Sequence, residues 1–181
     1  MVKKILILCA VGVVVLAWLS ASLQEERCRA NDISLPASQC RVLIAETRGM
    51  DADQIVDYCV GRTCDFLSFQ SQNEPIRYDR ESGANCVNYA KLCASMCDVA
   101  LNAHGYRCKA QPVVGHVQML GVNVNKVVST MLSFSDRWRN FTKDHDFVKI
   151  EFTSRDRRVV YVDASLKDVF FTSMKREVAL D

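Results

Sequence analysis

Glycine and proline are scarce: seven and three in 181 residues. That excludes collagen-like and low-complexity architectures, which need far more of both. Charge of one sign is missing as well. Lys and Arg total 23 against 21 Asp and Glu, a net +2, and no dense Lys/Arg cluster could track a phosphate backbone, so nucleic acid is not an expected partner. The paired CxxC of structural zinc modules is absent. The nearest spacings are Cys59-x4-Cys64 and Cys93-x3-Cys97, so no metal and no cofactor is expected. Imidazole is rare, with three histidines, His104, His116 and His145. Cysteine is plentiful at nine, and apolar residues reach 49%, enough for one compact core.

The apolar content is concentrated first at the amino terminus. Lys3 and Lys4 precede an uncharged run over residues 5–23, followed by Glu25, Glu26 and Arg27. A positive head, an apolar stretch and the small residues Ser20, Ala21 and Ser22 fit a secretory signal peptide. The run is also nearly long enough to stay in a bilayer as an anchor, and the leading lysines orient the remainder away from the cytoplasm. Residues 1–24 are therefore expected to be a signal peptide or membrane anchor. Residues 25–181 are expected to form a single extracytoplasmic domain, periplasmic or secreted. Outside the cytoplasm disulfides persist. Setting aside Cys9 in the leader and Cys86, discussed below, leaves an odd seven, and one to three bridges are expected.

Periodicity and punctuation lay out the elements. Residues 28–35 read as an extended lead-in. Pro36 opens a helix to about Glu46, stopped by Gly49. Asp51 caps a helix over about 52–69 whose apolar face carries Ile55, Val56, Cys59, Val60 and Phe66. Residues 70–80 are a polar loop. Asn85 is an N-cap with Cys86 the first helical residue, a stripe of small residues follows at helical spacing, and Gly105 ends the helix. Strands are predicted over 106–114 and 116–122, with Pro112 marking an edge or bend. A helical insert follows over about 124–144, and then come two strands around 147–152 and 159–162 joined by a charged turn.

Three stretches carry chemistry: Gly83-Ala84-Asn85-Cys86-Val87-Asn88-Tyr89-Ala90, His145-Asp146-Phe147-Val148-Lys149-Ile150, and Tyr161-Val162-Asp163-Ala164. A thiol at a helix N-terminus meets the positive end of the peptide dipoles, which favours the thiolate. His145 begins one strand and Asp163 ends the next, so an antiparallel hairpin brings imidazole and carboxylate together. A sulfur to attack, a base beside it and an acid to orient the base are the parts of a cysteine nucleophile. Read alone, Cys86 fits a buried thiol or a disulfide half better than a nucleophile. His116 is the rival base, but no carboxylate lies in the strand-length stretch after it.

Taken together, in this order, the three stretches resemble the transglutaminase-like family, part of the wider papain-like group of cysteine enzymes. That family has a Gly-x-Cys-x-x-Tyr/Phe-Ala motif heading a helix, then His-x-x-Val-x-Val/Ile on a strand, then an aromatic, an apolar residue and Asp on the next. The match runs over about residues 50–166, with one extra residue between Gly83 and Cys86. It departs from the family at Asn85 and at Asp146-Phe147, where the family has an apolar pair. The resemblance implies an α+β, papain-like core with N-terminal helices and a cysteine-bearing helix packed on a small antiparallel sheet. It assigns Cys86 as nucleophile, His145 as base and Asp163 as orienting acid, with Gln70 or Gln72 as oxyanion donor. The expected activity is on peptide or isopeptide amide bonds through a thioester, with hydrolysis favoured over cross-linking and a protein or peptide as substrate. Two other classes stay open. One is a non-catalytic cell-envelope binding module that keeps the fold. The other is a disulfide-stapled structural protein with Cys86 bridged.

Overall fold

The structure is a computed structural model that describes residues 22–70, 72–119, 122–123, 126, 145–153, 157–170 and 174–179. All but the last two residues of the apolar run and nearly all of the expected insert lie outside these residues. In chain order the elements are β1 (Ser22–Cys28), α1 (Ala37–Glu46), α2 (Ala52–Phe66), β2 (Leu67–Phe69), β3 (Ser82–Ala84), α3 (Cys86–Ala103), β4 (Cys108–Met119), β5 (Val122–Asn123), β6 (His145–Phe152), β7 (Arg158–Asp163), α4 (Ala164–Phe170) and β8 (Met174–Ala179). The class is mixed α+β. An antiparallel sheet runs in the order β1-β4-β6-β7-β8, with β5 folded back on β4, and β2 and β3 form a separate parallel pair.

Local chemistry explains the helix ends. Asp51 and Gln54 make a reciprocal capping box at the start of α2, with bonds of 2.9 and 3.0 Å. At the start of α3, the Asn85 side chain accepts from the Val87 N–H at 3.0 Å. Gly105 closes that helix with φ +84°, while the Tyr106 N–H reaches back to the Leu101 carbonyl at 3.0 Å. Between its ends α3 buries Tyr89, Ala90, Cys93, Ala94, Cys97, Ala100 and Leu101. Small side chains let its axis sit close to β4 and β6.

Alternation along the central strands divides the core in two. Ala110, Val148, Ile150, Phe152, Val160 and Val162 face the helices and join the main core. Their alternates Val113, Val117 and Phe147 form a second cluster with Leu23 of β1. Each fully buried Val, Ile or Phe contributes about 1.5–3 kcal/mol relative to exposure. Leu23, although it ends the apolar run and precedes the expected domain start at 25, is 1% exposed in that second cluster.

Several expectations need correction. The two strands split near Gly115 are one, Cys108–Met119, and it is interior to the sheet. Pro112 is tolerated there because its carbonyl points to the β1 side, accepting from the Arg29 N–H at 2.9 Å. Its missing N–H therefore falls just past the last β1 pair, Cys28 with Val113, and not in the β6 ladder. Gly115 marks close approach, not a break. A Cβ there would come within 1.8 Å of the Gln24 carbonyl oxygen, beside the irregularity in β1 between Glu25 and Arg27. The second helix ends at Phe66, because Leu67 turns extended to pair with β3. Among the described residues no disulfide forms: Cys28, Cys40, Cys59, Cys64, Cys86, Cys93, Cys97 and Cys108 are all free, against the one to three bridges expected. Cys59, Cys93 and Cys97 instead gather as buried thiols between α2 and α3, where the Cys59 and Cys93 neighbours and burial push the Cys97 thiol well above its ordinary range.

Candidate active site

Cys86 is the first residue of α3 and is half-buried. Its approach is held on every side. The Glu74 carboxylate accepts from the Gly83 N–H at 3.1 Å, the Asn73 side chain accepts from the Asn85 N–H at 2.8 Å, and Ser82 Oγ accepts from the Arg77 N–H at 2.9 Å. Backbone donors otherwise orphaned at a strand-to-helix turn are thus satisfied.

His145 opens β6 and Asp163 closes β7. Val148 pairs with Val162, so the next pair outward is Phe147 with Asp163, and His145 stands one same-face step beyond. From there the imidazole Nε2 hydrogen-bonds Asp163 Oδ2. The other carboxylate oxygen of Asp163 accepts from Ser165 Oγ at 2.7 Å and from the Leu166 N–H at 3.0 Å. It therefore also caps α4. Asp163 is 1% exposed and the His145 side chain 12%.

Electrostatics follow from that burial. Burial alone would raise the Asp163 carboxyl, but the His145 charge and hydrogen bond, with the bonds from Ser165 and Leu166, hold it below its ordinary 3.8. Burial alone would lower the His145 imidazole. The Asp163 charge and hydrogen bond, then a hydrogen bond and charge from Cys86, outweigh it and raise the ring well above its ordinary 6.5. The imidazole and the carboxylate therefore form one bonded pair, with the thiol within electrostatic reach of the ring. With Nε2 held by Asp163, Nδ1 is the ring nitrogen left to exchange a proton with the sulfur.

Two charged residues join the set that sequence reasoning missed. The Cys86 Sγ–H donates to Asp146 Oδ2 at 3.9 Å. Asp146 is 2% exposed, and Arg29, from the segment after β1, holds it with a forked guanidinium, Nε on Oδ1 and Nη2 on Oδ2 at 3.3 Å. The sequence signal for Asp146 was an acid standing where an apolar residue was anticipated. Nothing local marked Arg29. As for the oxyanion candidates, Gln70 lays its amide over Gly83, where a Cβ would meet its Oε1 at 2.6 Å, and Gln72 is exposed in the following loop. His116 pairs with Glu26 at 2.9 Å and His104 with Thr47 at 2.9 Å. Among the described residues no group of three or more His, Cys, Asp or Glu could hold a metal, and no helix is long and apolar enough to cross a membrane.

Comparison of the chain with protein-family models, curated proteins and solved structures found no match.

Proposed function

We propose that this chain is an exported cysteine enzyme of the transglutaminase-like, papain-like kind that acts on peptide or isopeptide amide bonds. Cys86 attacks the carbonyl, and the tetrahedral oxyanion draws on the Cys86 N–H at the helix start. His145 delivers a proton to the leaving amine, and a thioester forms on Cys86 as the C–N bond breaks. Water, deprotonated by His145, then hydrolyses the thioester and regenerates the thiol. Asp163 keeps Nε2 engaged and steadies the imidazolium throughout. Gln70 is the better placed of the two glutamines for a second oxyanion donor, since it leans over the strand that runs into Cys86. Water outside the cell is always at hand, whereas transfer needs a bound amine, so hydrolysis is favoured.

The observation that carries the reading is the thiol of Cys86, at a helix N-terminus, bonded to Asp146 next in the strand to His145, whose imidazole is itself locked to a buried carboxylate. The test is to incubate the purified chain with a library of peptide and isopeptide amides and search by mass spectrometry for an acyl adduct on the Cys86 peptide. Cleavage that disappears in Cys86→Ala supports the proposal. Absence of both adduct and cleavage, with the fold intact, leaves a binding module in its place.

A further inference from the structure

The contact between Cys86 and Asp146 is at first sight adverse. A buried carboxylate beside the nucleophile accepts the S–H hydrogen bond and so favours the neutral thiol. Once the sulfur is ionised, the same carboxylate repels it. Asp146 directly follows His145 on β6 and pairs with Val114, so it cannot swing away without carrying the base along. Arg29 answers this charge. Its Nη2 and the Cys86 sulfur touch the same oxygen, Asp146 Oδ2, at 3.3 and 3.9 Å, so the guanidinium lies no further from the sulfur than those two legs laid end to end. A guanidinium keeps its charge at any working pH and matches a carboxylate with a rigid fork.

We infer that Arg29 is a positioning residue for the nucleophile: by neutralising Asp146 it lets the Cys86 sulfur carry negative charge beside His145. This deepens the proposed function and rests on it. It also ties the segment after β1 to the site. Arg29 is placed by its own N–H on the Pro112 carbonyl at 2.9 Å, so the sheet edge that holds β1 also holds the counter-charge. Its side chain is 31% exposed, against 2% for Asp146.

The test is a charge cycle read by the iodoacetamide alkylation rate of Cys86, resolved by peptide mapping at neutral pH, with exposed Cys28 of the same molecule as internal reference. Arg29→Gln removes this counter-charge from Asp146 and is expected to slow Cys86 roughly tenfold. Asp146→Asn leaves Arg29 unopposed and is expected to speed it about threefold or more. The double variant is expected within about threefold of wild type, and Arg29→Lys to keep most of the rate. If Arg29→Gln fails to fold, Asp146→Asn against the double variant still decides. A rise that vanishes in the double variant supports the inference, and no rise overturns it. A loss in Arg29→Gln that the double variant does not recover also overturns it, since a structural role alone explains that pattern. A separate result bears on the nucleophile itself. If wild-type Cys86 reacts no faster than Cys28, the proposed function falls. If it reacts faster but ignores both charges, only the role of Arg29 falls.

Discussion

Replacing Asp163 strikes the site and the fold together, and the two effects separate by pH. In Asp163→Ala the imidazole of His145, 12% exposed, loses its partner, and the bonds from Ser165 Oγ and the Leu166 N–H lose their acceptor. Breaking a buried ion pair by removing one member costs about 3–5 kcal/mol, a large share of the roughly 5–15 kcal/mol that holds a typical domain. Asp163→Asn keeps an acceptor for Ser165 and Leu166 and is expected to cost less, about 1–3 kcal/mol. The sign of the pH dependence follows from the two shifts. Asp163 titrates lower in the fold, so its contribution is complete above 3.8 and is lost as pH falls through its folded value. His145 titrates higher in the fold, so its contribution is complete below 6.5 and is lost as pH rises through its folded value. The stability gap between wild type and Asp163→Asn should therefore be widest between 3.8 and 6.5 and narrow on the alkaline side. Urea melts across pH measure it directly. A gap that stays constant into the alkaline range, or one below about 1 kcal/mol throughout, would refute the ion-pair reasoning.

Other expected outcomes come from single contacts. Gly115→Ala forces a Cβ against the Gln24 carbonyl oxygen, and because both atoms are backbone-fixed it should destabilise by about 1–3 kcal/mol or more. Hydrogen exchange would show β1 opening first. Asn85→Ala removes the cap on α3 and should cost about 1 kcal/mol in a urea melt. Tyr89→Phe removes the hydroxyl that donates to Asp168 Oδ2 at 2.6 Å and lies 2.9 Å from the Leu67 carbonyl oxygen. It takes this donor from the Asp168 carboxylate and should lower stability by about 1–3 kcal/mol. Cleavage activity should fall much less, since Tyr89 does not touch the thiol, imidazole or Asp163.

What could be read from the chain was whatever local chemistry decides. Asn85, Cys86 and Gly105 announced α3 because caps act over a few residues, and Asp51 announced α2 for the same reason. The meeting of His145 and Asp163 was legible because a hairpin places a strand's head beside the next strand's tail. The Arg29–Asp146 pair was not, since it joins residues far apart in sequence and no periodicity points at it. Pro112 misled because the rule against proline in interior strands ignores where a neighbouring strand stops. The short β2 was hidden in an apolar run that fits a helix as well, and only its partner β3 decides the matter. Cysteine count suggested bridges, whereas packing uses Cys59, Cys93 and Cys97 as small buried side chains on the facing surfaces of α2 and α3.

The central claim is that Cys86 reacts through His145. The most direct measurement is the alkylation rate of Cys86 at about pH 6, resolved by peptide mapping, in wild type and in His145→Ala. Rapid modification is expected in wild type, with a loss of roughly tenfold or more in the variant. Equal rates in the two proteins, or a Cys86 recovered only in a disulfide, would contradict it.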